Sequence, residues 1–116
     1  MSNQIDALES GYRQYAEAFG RAALRGDVRA TRENYGKLAV IRVKLKGSGK
    51  EGEAVLRRLM KDSSDAIAVR AAIDSLPFAE REGLEVLDAI AEKNGPIAFD
   101  ARMTAKQWRA GQLRNR

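Results

Sequence analysis

The sequence predicts an all-α fold, and three observations lead to this prediction. The helix-favouring residues Ala, Leu, Arg, Glu and Lys are abundant among the 116 residues, whereas only two prolines occur. Apolar residues recur at steps of three and four along most of the chain, which is the spacing of one helix face. Clusters of glycine, serine, asparagine or proline separate these segments, as they do at helix ends.

Two long helices are predicted to form a hairpin over residues 1–48. The first runs from about residue 3 to Leu24 and carries an apolar stripe of Ile5, Leu8, Tyr12, Tyr15, Phe19 and Ala22. In the turn that follows, Gly26 suits a left-handed C-cap and Asp27 suits the next N-cap. The second helix, about 28–46, places Tyr35, Leu38, Ile41 and Leu45 on one face, and we expect Ala39 and Val43 to widen that face.

Three shorter helices are predicted within residues 50–94. The first, about 51–61, carries Val55, Leu56, Leu59 and Met60. Asp65 or Ser64 begins the second helix, and Asp65 is interpreted as its cap. Val69, Ala72, Ile73 and Leu76 share one face of this helix. The third, about 80–93, carries Leu84, Leu87, Ile90 and Ala91 and ends at a strong termination signal, Asn94-Gly95-Pro96.

Residues 95–116 are predicted to be a capping segment followed by a basic tail. The apolar start of this segment is irregular, and we expect it to lie extended over the helices with Ile97 and Phe99 pointing inward. Thr104 is predicted to cap a last short helix that contains Trp108. The tryptophan is interpreted as a plug over the open end of the last helical layer.

Part of the chain resembles a helical repeat. Two short helices joined by a polar turn form the layers of HEAT and armadillo solenoids. Asp62, Val69-Arg70 and Ala72 resemble the HEAT pattern at the start of the second helix, so one repeat would cover about residues 52–77. The sequence therefore predicts a single HEAT-like domain, with its layers in residues 50–94. Its fold would be a short right-handed α-α superhelix of about five helices, an extended C-terminal segment and a short final helix, with a plain helical bundle as the alternative.

Gly95-Pro96, a short apolar stretch, Met103-Thr104 and then Trp108 follow one another near the C-terminus. This ending resembles that of the bacterial family called domain of unknown function 2019, whose members are small helical proteins with HEAT-like layers. Together with the repeat motif, the resemblance covers about residues 30–110. The resemblance implies the fold and carries no function, because the family is uncharacterised.

Cysteine and histidine are both absent, which excludes disulfides, thiolate metal sites, cysteine nucleophiles and the commonest general base. No pairing of a nucleophile with a base is visible, so we expect no enzymatic activity, no cofactor and no metal. The N-terminus does not resemble a signal peptide, and no run of about 18 apolar residues occurs. We therefore expect a cytoplasmic protein that makes no use of a membrane.

The net charge of +5 is concentrated in two stretches. Residues 36–50 hold five basic residues and no acid, and residues 100–116 hold five basic residues against Asp100. A run of like charge is most often a solvated face, and contact with an anion or a nucleic acid is the alternative. The candidate contact residues for a partner or an anion are Arg70, Arg102, Lys106, Trp108 and Arg109. Arg70 is also interpreted as a brace that binds a carboxylate of a neighbouring layer.

These observations favour a non-catalytic protein-interaction module of the adaptor, regulator or inhibitor type. Its partner is unidentified, and a second copy of the chain is one candidate. Short helical stacks bind proteins on their exposed faces. The alternative is nucleic-acid binding through the basic stretches 36–50 and 102–116. Convergence of the two stretches on one face would favour this alternative.

Overall fold

Six helices make up the part of the chain that the computed structural model describes, residues 3–111, and no strand occurs there. The all-α class is therefore confirmed. None of these helices combines the length with the apolar content that crossing a bilayer requires. In chain order the helices are α1 (Asn3–Arg25), α2 (Val28–Gly47), α3 (Lys50–Leu59), α4 (Asp65–Ser75), α5 (Glu80–Ala91) and α6 (Pro96–Arg109).

Helix α4 lies at the centre of the molecule and packs against α1, α3, α5 and α6. Four helices can approach it because several of its buried side chains are small. These are Ala68, Ala71, Ala72 and Ser75. The Ser75 hydroxyl donates to the Ala71 carbonyl oxygen at 2.7 Å, so this buried polar group is satisfied. The predicted apolar face of this helix is correct, because Val69, Ala72 and Leu76 are buried and Ile73 packs against the core.

Helices α1 and α2 form the predicted hairpin. Gly26 has φ +71°, the left-handed geometry expected at its turn, and the Asp27 carboxylate accepts the Ala30 backbone N–H at 3.0 Å. The predicted widening of the α2 face was wrong at Val43, whose surface is 67% exposed. The cause is that α2 packs against α1 and α3 and leaves this side of the helix uncovered.

The predicted extended segment at residues 96–103 was wrong, because these residues are the beginning of α6. Pro96 occupies the first turn, where its missing N–H costs nothing, and the turn at Gly95 precedes it with φ +103°. Phe99 was predicted to point inward and is 59% exposed, whereas Ile97 packs against the core as expected. Thr104 caps no helix and lies buried within α6.

Alanines decide which face of α6 is buried. Ala98, Ala101 and Ala105 recur at helical spacing and are buried, and Trp108 packs against the core beyond them. Helix α6 packs mainly against α5 and also contacts α4 and α1. The predicted short final helix is thus a full helix of 14 residues, paired with α5.

Helices α2 and α3 approach each other closely at Gly52. A Cβ atom placed on this residue would lie 1.8 Å from the Leu45 carbonyl oxygen, which is too close for any real contact. The Leu45 oxygen is a backbone atom, and the position of a Cβ atom is fixed by the backbone that carries it. No side-chain rotation can therefore relieve the clash. The absence of a side chain at Gly52 therefore sets the distance between the N-terminal hairpin and α3.

We predict that Gly52→Ala lowers the free energy of unfolding by about 2–3 kcal/mol, since the added methyl group must separate α2 from α3. Gly36→Ala is the matched control, because Gly36 lies within α2 and a Cβ atom there meets nothing within 4 Å. The control should gain up to about 1 kcal/mol from helix propensity. Urea unfolding of both variants measures the difference, and equal stabilities would contradict the close approach.

Candidate interaction groove

A groove of about 660 Å³ lies between α2, the end of α4 and the end of α6. Trp108 closes the side formed by α6, and the floor consists of buried leucines of α2, of α3 and of the residue that ends α4, Leu76. We define the groove by seven of its lining residues, which are Arg42, Val43, Lys46, Ile73, Asp74, Phe78 and Trp108. Such a volume lies within the range of sites that bind small molecules or partner side chains.

Apolar side chains dominate the accessible parts of the groove. Val43 projects from α2, Ile73 lies opposite on α4, and Phe78 follows in the turn before α5. The Arg57 guanidinium lies over the Phe78 ring, 5.5 Å from its centroid, which restrains the ring. The indole N–H of Trp108 donates to Glu80 at 2.6 Å, so the ring is oriented by a polar contact while its apolar body lines the groove.

A polar cluster at the groove connects three helices. The Tyr12 hydroxyl of α1 donates to Asp74 Oδ2 of α4 at 2.6 Å. Arg42 Nη1 of α2 lies 3.6 Å from Asp74 Oδ1. The Arg42 guanidinium also lies 6.0 Å from the centroid of the Tyr35 ring. The carboxylate therefore joins the hairpin to the central helix beside the groove.

Burial governs the ionisation of this cluster. It raises the pKa of Asp74 above the ordinary 3.8, and hydrogen bonding to Tyr12 and the charges of Arg42 and Arg70 oppose the rise. Burial, followed by the neighbouring Asp74 charge, raises the pKa of Tyr12 well above its usual range. The phenol thus keeps its proton and serves as a donor to the carboxylate.

Arg70 lies away from the groove, at the junction of α1, α4 and α6. Its guanidinium pairs with Asp100 of α6 and lies 5.1 Å from the centroid of the Phe19 ring of α1. Only 12% of its side chain is exposed. This arrangement agrees with the interpretation of Arg70 as a brace between layers and leaves little surface for a partner.

The turn before α4 is similarly occupied by internal contacts. The prediction that Asp65 caps α4 was wrong, because the N-cap residue is Ser64, the other residue considered for the start of this helix. Asp65 is instead the first residue of α4, where it pairs with Lys93 at 2.7 Å. Asp62 accepts the Ser64 backbone N–H at 2.9 Å and pairs with Arg13 of α1. The motif residues therefore hold the start of α4 against α1 and the end of α5.

The other four candidate residues all lie on α6 and have different surroundings. Arg102 donates to the Ala91 carbonyl oxygen at the end of α5, at 2.8 Å. Arg109 makes a two-pronged pair with Asp88 of α5, at 2.9 and 2.6 Å. Lys106 is exposed, and Trp108 lines the groove. Of the five candidates, only Trp108 is among the groove residues.

The two basic stretches meet only in part. Arg42 and Lys46 of the first stretch line the groove together with Trp108 of the second. The guanidinium groups of Arg102 and Arg109 turn towards α5, and residues 112–116 lie outside the described part of the chain. Within residues 3–111, no group of three or more acidic side chains could hold a metal ion.

Sequence reasoning missed the apolar groove residues Val43, Ile73 and Phe78. The first two were taken as core positions because they lie at helical spacing with buried residues. Phe78 follows Pro77 in a turn, where no periodicity applies. The signal that could have found Val43 is its neighbourhood, since Arg42 and Lys44 flank it in a stretch without acids.

The chain is similar in fold to the protein RPA1889 from Rhodopseudomonas palustris, whose crystal structure superposes with a TM-score of 0.85. The alignment covers 94% of this chain and 91% of that protein, at 23% sequence identity. At this identity the likeness shows the shared helical fold alone. No protein-family model matches the chain, and no curated protein matches it significantly.

We predict that Asp74→Asn changes the pH dependence of stability in a defined direction. Between the ordinary pKa of 3.8 and the raised value in the folded state, the folded protein binds more protons than the unfolded chain. The free energy of unfolding that Asp74 contributes therefore falls as pH rises through this window. The free energy of unfolding of the wild type, relative to that of Asp74→Asn, should therefore fall as pH rises. Urea unfolding at a series of pH values measures it.

Asp88→Asn is the control with the opposite sign. Hydrogen bonding to Arg109 lowers the pKa of Asp88, so its contribution is present above 3.8 and is lost as pH falls through the lowered value. The stability of the wild type relative to Asp88→Asn should rise with pH. Slopes of the same sign for the two variants would contradict the assigned environments.

Proposed function

We propose that the chain is a non-catalytic protein-interaction module whose partner binds in the groove. The observation that carries this proposal is the exposure of Val43 beside Ile73, Phe78 and Trp108 on a concave surface. An apolar side chain on the surface is ordinary by itself, but a grouped set in a groove marks an interaction site. Such a module would serve as an adaptor, a regulator or an inhibitor. Its proposed location is the cytoplasm.

We further propose that the helices form a short HEAT-like superhelix and that the chain belongs to the family called domain of unknown function 2019. The placement of α4 between α1 and α6 supports the stacked arrangement. The pairing of α3 with α4 and of α5 with α6 supports two consecutive layers. The motif residues Asp62 and Arg70 support it as well, because each contacts another layer.

Nucleic-acid binding is the second candidate. It is favoured by Arg42 and Lys46, which stand beside Trp108 as basic and aromatic groups do on a nucleic-acid platform. It is disfavoured by Arg102 and Arg109, whose charges are engaged by α5. A gel-shift titration with mixed duplex DNA at several salt concentrations tests it, and steep salt dependence with tight binding would favour it over a protein partner.

We predict that Val43→Asp abolishes retention of the partner from a lysate of the source organism, because a carboxylate would be placed among the groove's apolar side chains. The loss should exceed about tenfold, as expected for a residue near the centre of an interface. Val28→Asp is the matched control, since Val28 is 63% exposed at the start of the same helix and lies outside the groove.

Both substitutions are on the surface and should change the free energy of unfolding by less than about 0.5 kcal/mol. A protein retained by wild type and Val28→Asp but not by Val43→Asp would support the proposal. Retention that is equal for the three forms would contradict it. Sedimentation of the purified forms shows whether the partner is a second copy of the chain, in which case Val43→Asp converts an oligomer to a monomer.

A further inference from the structure

Arg42 stands at the mouth of the groove in a position fixed by its neighbours. Asp74 approaches Nη1 to 3.6 Å, and the Tyr35 ring lies 6.0 Å from the guanidinium carbon. Asp74 is in turn held by the hydroxyl of Tyr12. Even so, 41% of the Arg42 side chain is exposed. A guanidinium held in this way loses little conformational entropy when a ligand binds to its exposed edge.

Within residues 3–111, no carboxylate makes a two-pronged pair with the Arg42 guanidinium. Asp74 approaches one terminal nitrogen to 3.6 Å, and Arg42 also hydrogen-bonds to the Tyr35 hydroxyl. Arg109 provides the contrast within the same molecule, since its two terminal nitrogens lie 2.9 and 2.6 Å from the two oxygens of Asp88. A guanidinium has five N–H donors and 41% of the Arg42 side chain is exposed, so Arg42 retains donors for a second carboxylate.

The charge beside the groove favours an anionic ligand. Lys46 follows Arg42 by one helical turn on the same wall, and the stretch 36–50 contains no acid. The acidic groups that line the groove are Glu53 of α3 and Asp74, which already faces Arg42.

The apolar half of the groove lies directly beside this charge. Val43 is adjacent to Arg42 in the chain, and Ile73 and Trp108 line the same cavity. A ligand that satisfies both halves must carry apolar side chains next to a carboxylate. An amphipathic peptide segment has this chemistry, because residues three or four apart in a helix share one face.

We propose that the groove binds an acidic amphipathic segment of a partner protein, with its apolar side chains between Val43 and Trp108 and a carboxylate on Arg42. This inference rests on the proposed function and specifies the chemistry of its partner.

Selection from a library of random twelve-residue peptides displayed on phage tests the proposal. The full chain is the bait, and Val43→Asp is used to remove peptides that bind elsewhere. Synthetic versions of the selected peptides are then titrated into each form of the protein. Trp108 is the only tryptophan and lines the groove, so its fluorescence reports binding at this site.

The expected result is a set of peptides rich in aliphatic or aromatic residues and in Asp and Glu. Arg42→Gln should weaken their binding about tenfold, the usual effect of losing a charge-assisted hydrogen bond. Arg32→Gln, on the same helix about 15 Å from Arg42, should change it less than about twofold. Arg42→Lys keeps the charge without the fork and should give an intermediate loss even if Arg42→Gln proves unstable.

The outcomes distinguish this inference from the proposed function. Selected peptides that require Val43 but are neutral or basic, or that bind Arg42→Gln and Arg42→Lys as well as wild type, would overturn the acidic partner and leave the groove as the docking site. If the selection yields no peptide that depends on Val43, the proposed function itself is overturned. Weaker binding of the acidic peptides at high salt is expected from the exposed position of Arg42.

Discussion

The narrowness of α4 is the constraint on which the rest of the structure depends. Four other helices pack against this helix, which is possible because Ala68, Ala71, Ala72 and Ser75 keep its surface close to the backbone. Gly83 of α5 extends the same principle, since a Cβ atom there would lie 3.0 Å from the Ala72 carbonyl oxygen. Larger side chains at these positions would move the outer helices apart and open the core.

The groove is a consequence of how the hairpin meets this central helix. Helix α1 packs against α4, whereas α2 packs against α1 and α3, so the C-terminal half of α2 stands beside the end of α4 with space between them. The hydrogen bond from Tyr12 of α1 to Asp74 of α4 holds the hairpin in this position relative to the central helix. Apolar side chains in this space therefore remain accessible, and the basic residues Arg42 and Lys46 of α2 lie next to them. The same packing that defines the fold thus creates the proposed docking surface.

The sequence predicts local structure well and the site poorly, for physical reasons. Helical periodicity located α1 to α5 because their large apolar residues recur every three or four positions. It failed at residues 96–103, where Ile97 and Phe99 alternate as in an extended chain and the buried face is made of alanines. The groove brings together residues 43, 73 and 108, which no local pattern connects. Charge in the sequence was also ambiguous, because Arg109 is bound to Asp88 by the fold.

Amide hydrogen exchange of the chain, alone and with the protein it retains from a lysate, tests the central claim that the groove is the docking surface. We predict slower exchange in the complex for amides of residues 42–46, 73–78 and those around Trp108, with α5 (Glu80–Ala91) unchanged. Protection confined to α5 or to the N-terminal half of α1, with the groove segments unchanged, would contradict the account.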